Sequence, residues 1–584
     1  MGRLIGSGRR SHGFSLESRR AGNFPSRVSR PCGLRLGLDG RASITDNAGV
    51  RRALPFFVYP LFAVGLTWPS GLHPVAQVPG VARTDLWDSL WSLWYFEQRL
   101  FAGTVPISVD GLLNHPDGGT LWVADPVNAL LAAPLLPVIG VAAAWTVLVL
   151  AHIAFAGLAA HRLGEALGGN GWAAGLSYAG APMMLAHIHN GASEAVGTGW
   201  LALAALSLVR LRQAPSFTRT ASSAFALAIC AVAHWYAGVD AFILVACLLL
   251  FGPARRWVAA AALGGLLLAA PVAAFARAEA TAADNVVSIK EAREVATVRR
   301  TIGPADPVAF VMPGDYRSPD FRELSRYGEQ YIHCPYLGWV LLLAAAATFR
   351  SRERREGNGI WWVAGGLAAV LACGPVLARF GAPVILSGRL AIPLPYLLIE
   401  QLPAFASLSL LWRLAQLTTL ALSVIASRSS LRLGSLVGVA AIVEALLISP
   451  MRGGAGHADG RIDNAIVALV AEPDGAVMNF PVVGGRAYLY EQTAHRKPLT
   501  AGLNFPNNNA SRRVWKAILD HQGEPAETLR AAAAAAAQKG GVRYLVVHID
   551  PMAHPDMHDS AVRALKAAML PISDGGAVRV YRFY

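Results

Sequence analysis

The chain has 584 residues, 54% of them hydrophobic and only 15% charged, with a mean hydropathy of +0.41. Soluble domains carry roughly a quarter charged residues, so too few polar side chains are present to cover a water-soluble fold, and a membrane is the implied solvent. The formal charge of +14 does not point to nucleic acid, because the arginines gather in the N-terminal tail and in short loops between apolar stretches, where they suit anionic lipid headgroups.

Residues 1–50 are rich in Arg, Ser and Gly and have no apolar run before about residue 53. They lack the form of a secretory signal peptide and are expected to be a disordered basic cytosolic tail, or the product of a start codon placed too early. A first span is expected near 53–68, behind Arg51 and Arg52, which hold the N-terminus inside. Later apolar stretches lie near 141–160, 171–186, 196–211, 221–235, 237–253, 257–276, 336–349, 360–377, 411–427 and 433–449. About eleven membrane-spanning helices are therefore expected between 51 and 450.

If these alternate across the bilayer, the inner loops carry Arg162, Arg210 with Arg212, Arg255 with Arg256, the arginine cluster at 350–355, and Arg428 with Arg432. That pattern obeys the positive-inside rule. It leaves four outer segments: a loop over about 70–140, the stretches 277–335 and 378–410, and everything after Pro450. The run 126–139 is short and rich in proline and is expected to be an interfacial or re-entrant helix, since counting it as a span would place the 350–355 cluster outside. Five cysteines are present; Cys230, Cys247 and Cys373 fall inside apolar stretches and Cys32 and Cys334 stand alone, so no disulfide framework can be drawn.

From about 460 hydropathy falls and a small α/β domain, 451–584, is expected on the extracytoplasmic side. Gly475–Pro481 and Val542–His548 read as strands, and 509–520, 526–538 and 559–569 as helices.

The first outer loop holds the densest chemistry. In the stretch 85–103, Leu86, Leu90, Leu93 and Leu100 with Trp87, Trp91 and Trp94 predict a helix suited to the headgroup layer. Asp85 opens it, where a carboxylate is also an ordinary N-cap and Thr84 is an alternative cap; Asp88 follows one turn later. The second half of the loop brings Asp117 and Asp125 to the same membrane face. Asp117 precedes Gly118 and Gly119, which is common turn chemistry.

An acid after the first span, an aromatic membrane-parallel helix, the turn "HPDGGTLWVADP" at 115–126 and a span ending in "GLAAHRLGEALGG" resemble the GT-C superfamily of polytopic glycosyltransferases, and most closely a bacterial branch of it. The resemblance continues through "GAPMMLAHIHN" at 180–190, "HWYAG" at 234–238, "YLGWVLLLAA" at 336–345 and "MNFPVVGGRAYLYEQTAHRKPLTAGLN" at 478–504. It implies a bacterial inner-membrane enzyme taking a lipid-linked sugar donor. Asp85 matches the family's acid at the acceptor and Asp125 its second acid, with Asp88 as an alternative. A late outer arginine pair common in the family is represented by Arg413 alone, Ser409 standing at the other position.

The chemistry gives these residue types a reason. Transfer from a polyprenyl phosphate needs a base for the acceptor's proton and positive charge for the leaving phosphate. Arg413 at a span mouth suits that phosphate, though a snorkelling anchor reads the same way. An acid pair can also hold a divalent cation. His187, His189, His234, Tyr236 and Glu329 are further candidates for substrate contact, with belt or interfacial residues as the plain reading, and Glu444 within the last span reads as structural glue. Two rival functions stand beside the glycosyltransferase: a lipid or glycan transporter, disfavoured because no internal repeat is found, and a non-catalytic scaffold of envelope assembly.

Overall fold

The computed structural model describes residues 48–122, 125–280, 282, 303–314, 316, 330–350, 352–386, 388, 390–402, 405, 408–429, 434–480, 486–503, 508–548, 564 and 568–584. Apart from its last three residues the expected tail lies outside them, as do Glu329 and most of the helix expected at 559–569. From Ala53 to Tyr584 the chain forms one unit.

The helices follow the apolar stretches in order. Leading the chain are α1 (Ala48–Leu66) and the loop helix α2 (Leu86–Phe101), then the short α3 (Pro126–Ala132) and α4 (Leu136–Ile139). Next come α5 (Val141–Ala166), α6 (Gly171–Ala179), α7 (Pro182–His189), α8 (Ser193–Val196), α9 (Gly199–Gln213), α10 (Phe217–Ala233), α11 (Trp235–Phe251) and α12 (Arg255–Ala280). The later bundle is α13 (Trp339–Ala346), α14 (Arg352–Ala372), α15 (Ala415–Ser427) and α16 (Gly434–Leu447). Among the described residues three helical stretches, Val141–Ala166, Ser193–Gln213 and Arg255–Ala278, are long and apolar enough to cross a membrane, and shorter apolar helices accompany them.

The stretch expected as one span at 171–186 is two helices. Pro182 has no N–H to give to a preceding turn, so α6 stops at Gly180 and α7 starts with the proline in its first turn, where the missing donor does no harm. Close packing explains two glycines nearby: a Cβ at Gly157 or Gly175 would collide with the Tyr59 ring, whose hydroxyl bonds His161 Nδ1 at 3.1 Å. Small residues let helices approach in this way.

The C-terminal layer is a four-stranded sheet flanked by helices. Strand β1 (Ala476–Phe480) runs parallel to β2 (Val542–His548), which pairs antiparallel with β4 (Val578–Arg582), and β3 (Ser573–Asp574) closes the edge. The period-2 alternation assigns each face its own core. Met478, Leu545 and Val547 pack under α17 (Asn509–Asp520) and α18 (Ala526–Lys539) with Val514, Ile518 and Leu529. Val477, Tyr544, Val546 and Val580 turn the other way and meet Trp91, Trp94 and Tyr95 of α2.

That contact corrects the expectation for α2. Its leucines Leu86, Leu90 and Leu93 enter the bundle core, while Trp91 is fully buried and gives its Nε1–H to Gln492 Oε1 at 2.7 Å. Trp87 stacks on Tyr490 at 4.8 Å. The aromatic face is covered by protein, because an indole needs an apolar body and one polar partner, and the C-terminal layer supplies both.

Glu444 acts as glue across helices. Its Oε1 accepts from Tyr336 Oη and Trp339 N, both at 2.6 Å, and its Oε2 accepts from Val340 N at 2.8 Å, so a residue of α16 caps the N-terminus of α13 behind Gly338, which has no side chain to do so. Each buried donor left without a partner costs about 1–3 kcal/mol. Glu444→Ala is therefore expected to lower the unfolding temperature in detergent well below that of Glu444→Gln, which keeps an acceptor oxygen; equal melting of the two variants would contradict the capping role.

Candidate active site

Three segments are laced together at one end of the bundle. Val81 N donates to His189 O at 2.9 Å and Asp85 N to Asn190 O at 3.1 Å, while Gln330 N donates to Arg83 O at 3.1 Å. The Asn190 amide reads the backbone of Ile332 on both sides, donating Nδ2–H to its carbonyl and accepting its N–H, each at 2.9 Å. His189 Nε2 meets Gln330 O at 3.1 Å, which gives this histidine a bracing role. Asp85 is thereby held at the head of α2.

Its carboxylate does not cap the helix. Instead Asp85 Oδ1 accepts from Tyr331 Oη and from Arg486 Nη1, the latter at 3.0 Å, and the same Nη1 also reaches Asp88 Oδ2. Asp85 and Asp88 stand three residues apart on one helix and so present their carboxylates to one face. Burial holds the Asp88 carboxyl above its ordinary range, the Arg486 charge opposes this, and Asp85 and Glu194 add to it. Arg486 itself adopts a left-handed backbone, φ 58°, just before helix Ala487–His495. A non-glycine residue pays steric strain there, and the two ion pairs offset it.

A second acid–arginine pair lies beside the first. Arg413 donates Nη1–H to Glu194 Oε1 at 2.6 Å, and its guanidinium sits over the Tyr236 ring, 5.6 Å from the centroid. The Tyr236 hydroxyl accepts the N–H groups of Ser409 and Leu410 at 3.0 and 2.7 Å. Arg413 is 4% exposed, yet its Nε has no hydrogen-bond partner. Next to it, His187 and His333 each stack on Trp412, at 5.1 and 5.4 Å, and His234 lies 6.3 Å from His187. His187 is wholly buried with neither ring nitrogen bonded.

Asp125 takes the role first offered to Asp85. Its Oδ1 accepts from Asn128 N at 3.1 Å and caps α3. Asn128 in turn donates to Ser193 O at 2.7 Å and bonds His152 Nε2 at 2.6 Å, tying α3 to α5 and to the residue before Glu194. Asp125 thus braces the helix that carries Glu194. Asp117 is exposed.

Sequence reasoning passed over Arg486, Glu194, Tyr331 and Asp240. Asp240 is the most legible in hindsight, an acid within an apolar helix; it is fully buried and accepts Leu417 N at 3.0 Å, which anchors the start of α15 four residues past Arg413. Glu194 stands alone between two apolar stretches, and Arg486 follows a glycine pair ahead of a helix. Neither signal names its partner. Among the described residues no group of three His, Cys, Asp or Glu side chains is arranged to hold a metal ion, and the charge facing the acid pair is the Arg486 guanidinium. A divalent cation at this pair would compete with it.

Burial pushes the Asp125 carboxyl up to about 7 against its bonds from Ser193 and Asn128. A carboxyl raised in the folded state keeps a proton that the unfolded chain has released, so its contribution is full below about pH 4 and is lost as pH rises to about 7. Asparagine caps as well as aspartate and does not ionise. Asp125→Asn should melt like the parent near pH 4 and higher than the parent above pH 7; a melting difference that does not move with pH would contradict this.

No protein-family profile matches the chain, and no curated protein does. Solved structures similar to it include the oligosaccharyltransferase AglB from Archaeoglobus fulgidus, in complex with an inhibitory peptide and a dolichol-phosphate, at 11% identity and a TM-score of 0.46 over 86% of this chain and 70% of that one. Another is the arabinofuranosyltransferase AftD from Mycobacteria, at 16% identity and a TM-score of 0.49 over 91% of this chain and 41% of that one, so this chain spans less than half of its length. These likenesses are distant, and the assignment of roles rests on the residues themselves.

Proposed function

We propose that the chain is a GT-C-type membrane glycosyltransferase that moves a sugar from a polyprenyl-phosphate donor to a glycan, lipid or protein acceptor at the extracytoplasmic face of a bacterial inner membrane. The observation that carries this is the pairing, at one end of the bundle, of two acids with Arg486 and of Glu194 with the buried, incompletely bonded Arg413. In this reading the acceptor hydroxyl gives its proton to Asp85, its oxygen bonds the anomeric carbon, and the bond from that carbon to the phosphate oxygen breaks. The leaving phosphate gains negative charge, and the Arg413 Nε–H is a donor already desolvated for it. Asp88 and Arg486 set the charge around Asp85. His187, His234 and Tyr236 pack together beside Arg413 and are the polar groups offered to sugar hydroxyls. The membrane domain is read as about eleven spans with the C-terminal layer outside.

Loss of a positioned base lowers rate by about 10²- to 10⁴-fold. With membranes containing the variant and a radiolabelled polyprenyl-phosphate sugar, Asp85→Asn is expected to lose transfer on that scale while Asp117→Asn stays near the parent. Arg413→Ala should weaken donor use and Arg413→Lys should recover only part of it, since an ammonium lacks the planar fork. Undiminished transfer by Asp85→Asn would reject the assignment and favour the scaffold. Topology is tested separately by reporter fusions: the fusion at residue 355 should report the cytosol and that at 460 the outside, and a cytosolic signal from 460 would overturn the threading.

A further inference from the structure

Far from the acid–arginine pairs, an open-sided cavity of about 770 Å³ lies between the C-terminal ends of α9 and α11 and the first half of α14. Along α11 it lies roughly 22 Å from Tyr236, at 1.5 Å per residue. Its walls are Val209, Leu248, Phe251, Ile360 and Trp361, and the charged group on them is Arg212. Among the described residues no acid lines it. Arg212 is half-buried, its Nε has no hydrogen-bond partner, and its head rests against Gly252, where a Cβ would come within 3.0 Å of Nη2. The neighbouring polar groups are already engaged: Gln213 donates to Ala166 O at 2.6 Å, and Arg255 donates to Leu250 O and Gly252 O at 2.9 and 3.2 Å.

A half-buried guanidinium with no acid beside it among the described residues, set in an apolar wall, with Arg210 and Arg219 near it in sequence and Arg255 and Arg256 opening the helix after α11, is complementary to one kind of molecule. We infer that this cavity binds an anionic phospholipid, with a phosphate oxygen on Arg212 and an acyl chain between α9, α11 and α14. Neither the donor nor the transfer reaction enters the inference. The volume suits part of a lipid chain, and the phosphate supplies the acceptor that the Arg212 Nε–H lacks.

The full chain, purified in detergent and delipidated, is titrated with phosphatidylglycerol, phosphatidylcholine or glycerol 3-phosphate while melting and lipid retention by native mass spectrometry are followed. Phosphatidylglycerol should be retained and raise the melting temperature, whereas phosphatidylcholine and glycerol 3-phosphate should do little. Losing a charged hydrogen bond at a desolvated site weakens binding about tenfold or more, so Arg212→Gln should show that loss. A second variant fills the cavity and keeps the charge: a Cβ at Gly359 meets nothing within 4 Å, so Gly359→Leu should fold, melt at or above the lipid-free parent, and lose phosphatidylglycerol. Equal retention by the parent and both variants, equal response to phosphatidylcholine, or a full response to glycerol 3-phosphate alone would overturn the inference.

Discussion

Everything at the mouth of the bundle depends on α2 being buried from two sides. Its leucine stripe meets the apolar helices of the bundle and its indole stripe meets the sheet, so one amphipathic helix is the mortar between layers built from opposite ends of the sequence. Full burial of each large apolar side chain contributes roughly 1.5–3 kcal/mol, and α2 has several. The two acids ride on this helix at its N-terminal end, and the arginine between them comes from the sheet side. Separating the layers would expose tryptophans and also break the ion pairs of two part-buried carboxylates with Arg486, which costs more the less water reaches them.

Charge in this region is compensated within the protein. Arg486 answers two carboxylates and Arg413 answers one, each arginine being reached from a distant part of the chain. Such fixed, desolvated dipoles and ions need little rearrangement when a charged ligand arrives, which is the property that makes a polar site effective in a low-dielectric surround. The same compensation gives the short helix Ser193–Val196 its purpose, because it delivers Glu194 from the gap between two apolar stretches while Asn128 holds the residue before it.

The order of the apolar helices was legible because hydropathy marks apolar runs, although among the described residues three of them reach membrane-crossing length, and β1 and β2 were legible because each is a bounded apolar run near a turn. Strand Val578–Arg582 was not read, since its alternation is diluted by three charged or polar positions in so short a segment. Position 85 illustrates a harder limit. Aspartates that cap a helix and aspartates that pair with a distant arginine look alike in sequence, and here Asp85 leaves its helix uncapped and meets Arg486 while Asp125 caps one. The aromatic stripe of α2 was legible as a stripe, but a periodicity states only that a face is apolar and cannot say whether lipid or a sheet some 400 residues later will cover it. Arg486 was hidden for the same reason: its chemistry is long-range.

Tyr236 uses one ring for two attachments. Its face carries the Arg413 guanidinium, and its hydroxyl holds the backbone of Ser409 and Leu410 a few residues before that arginine. The cation and the chain leading to it are therefore hinged on the same plate, with α11 as the mounting. The position of the guanidinium and the path of the backbone before it therefore share one support, and truncating the Tyr236 side chain would remove both contacts at once.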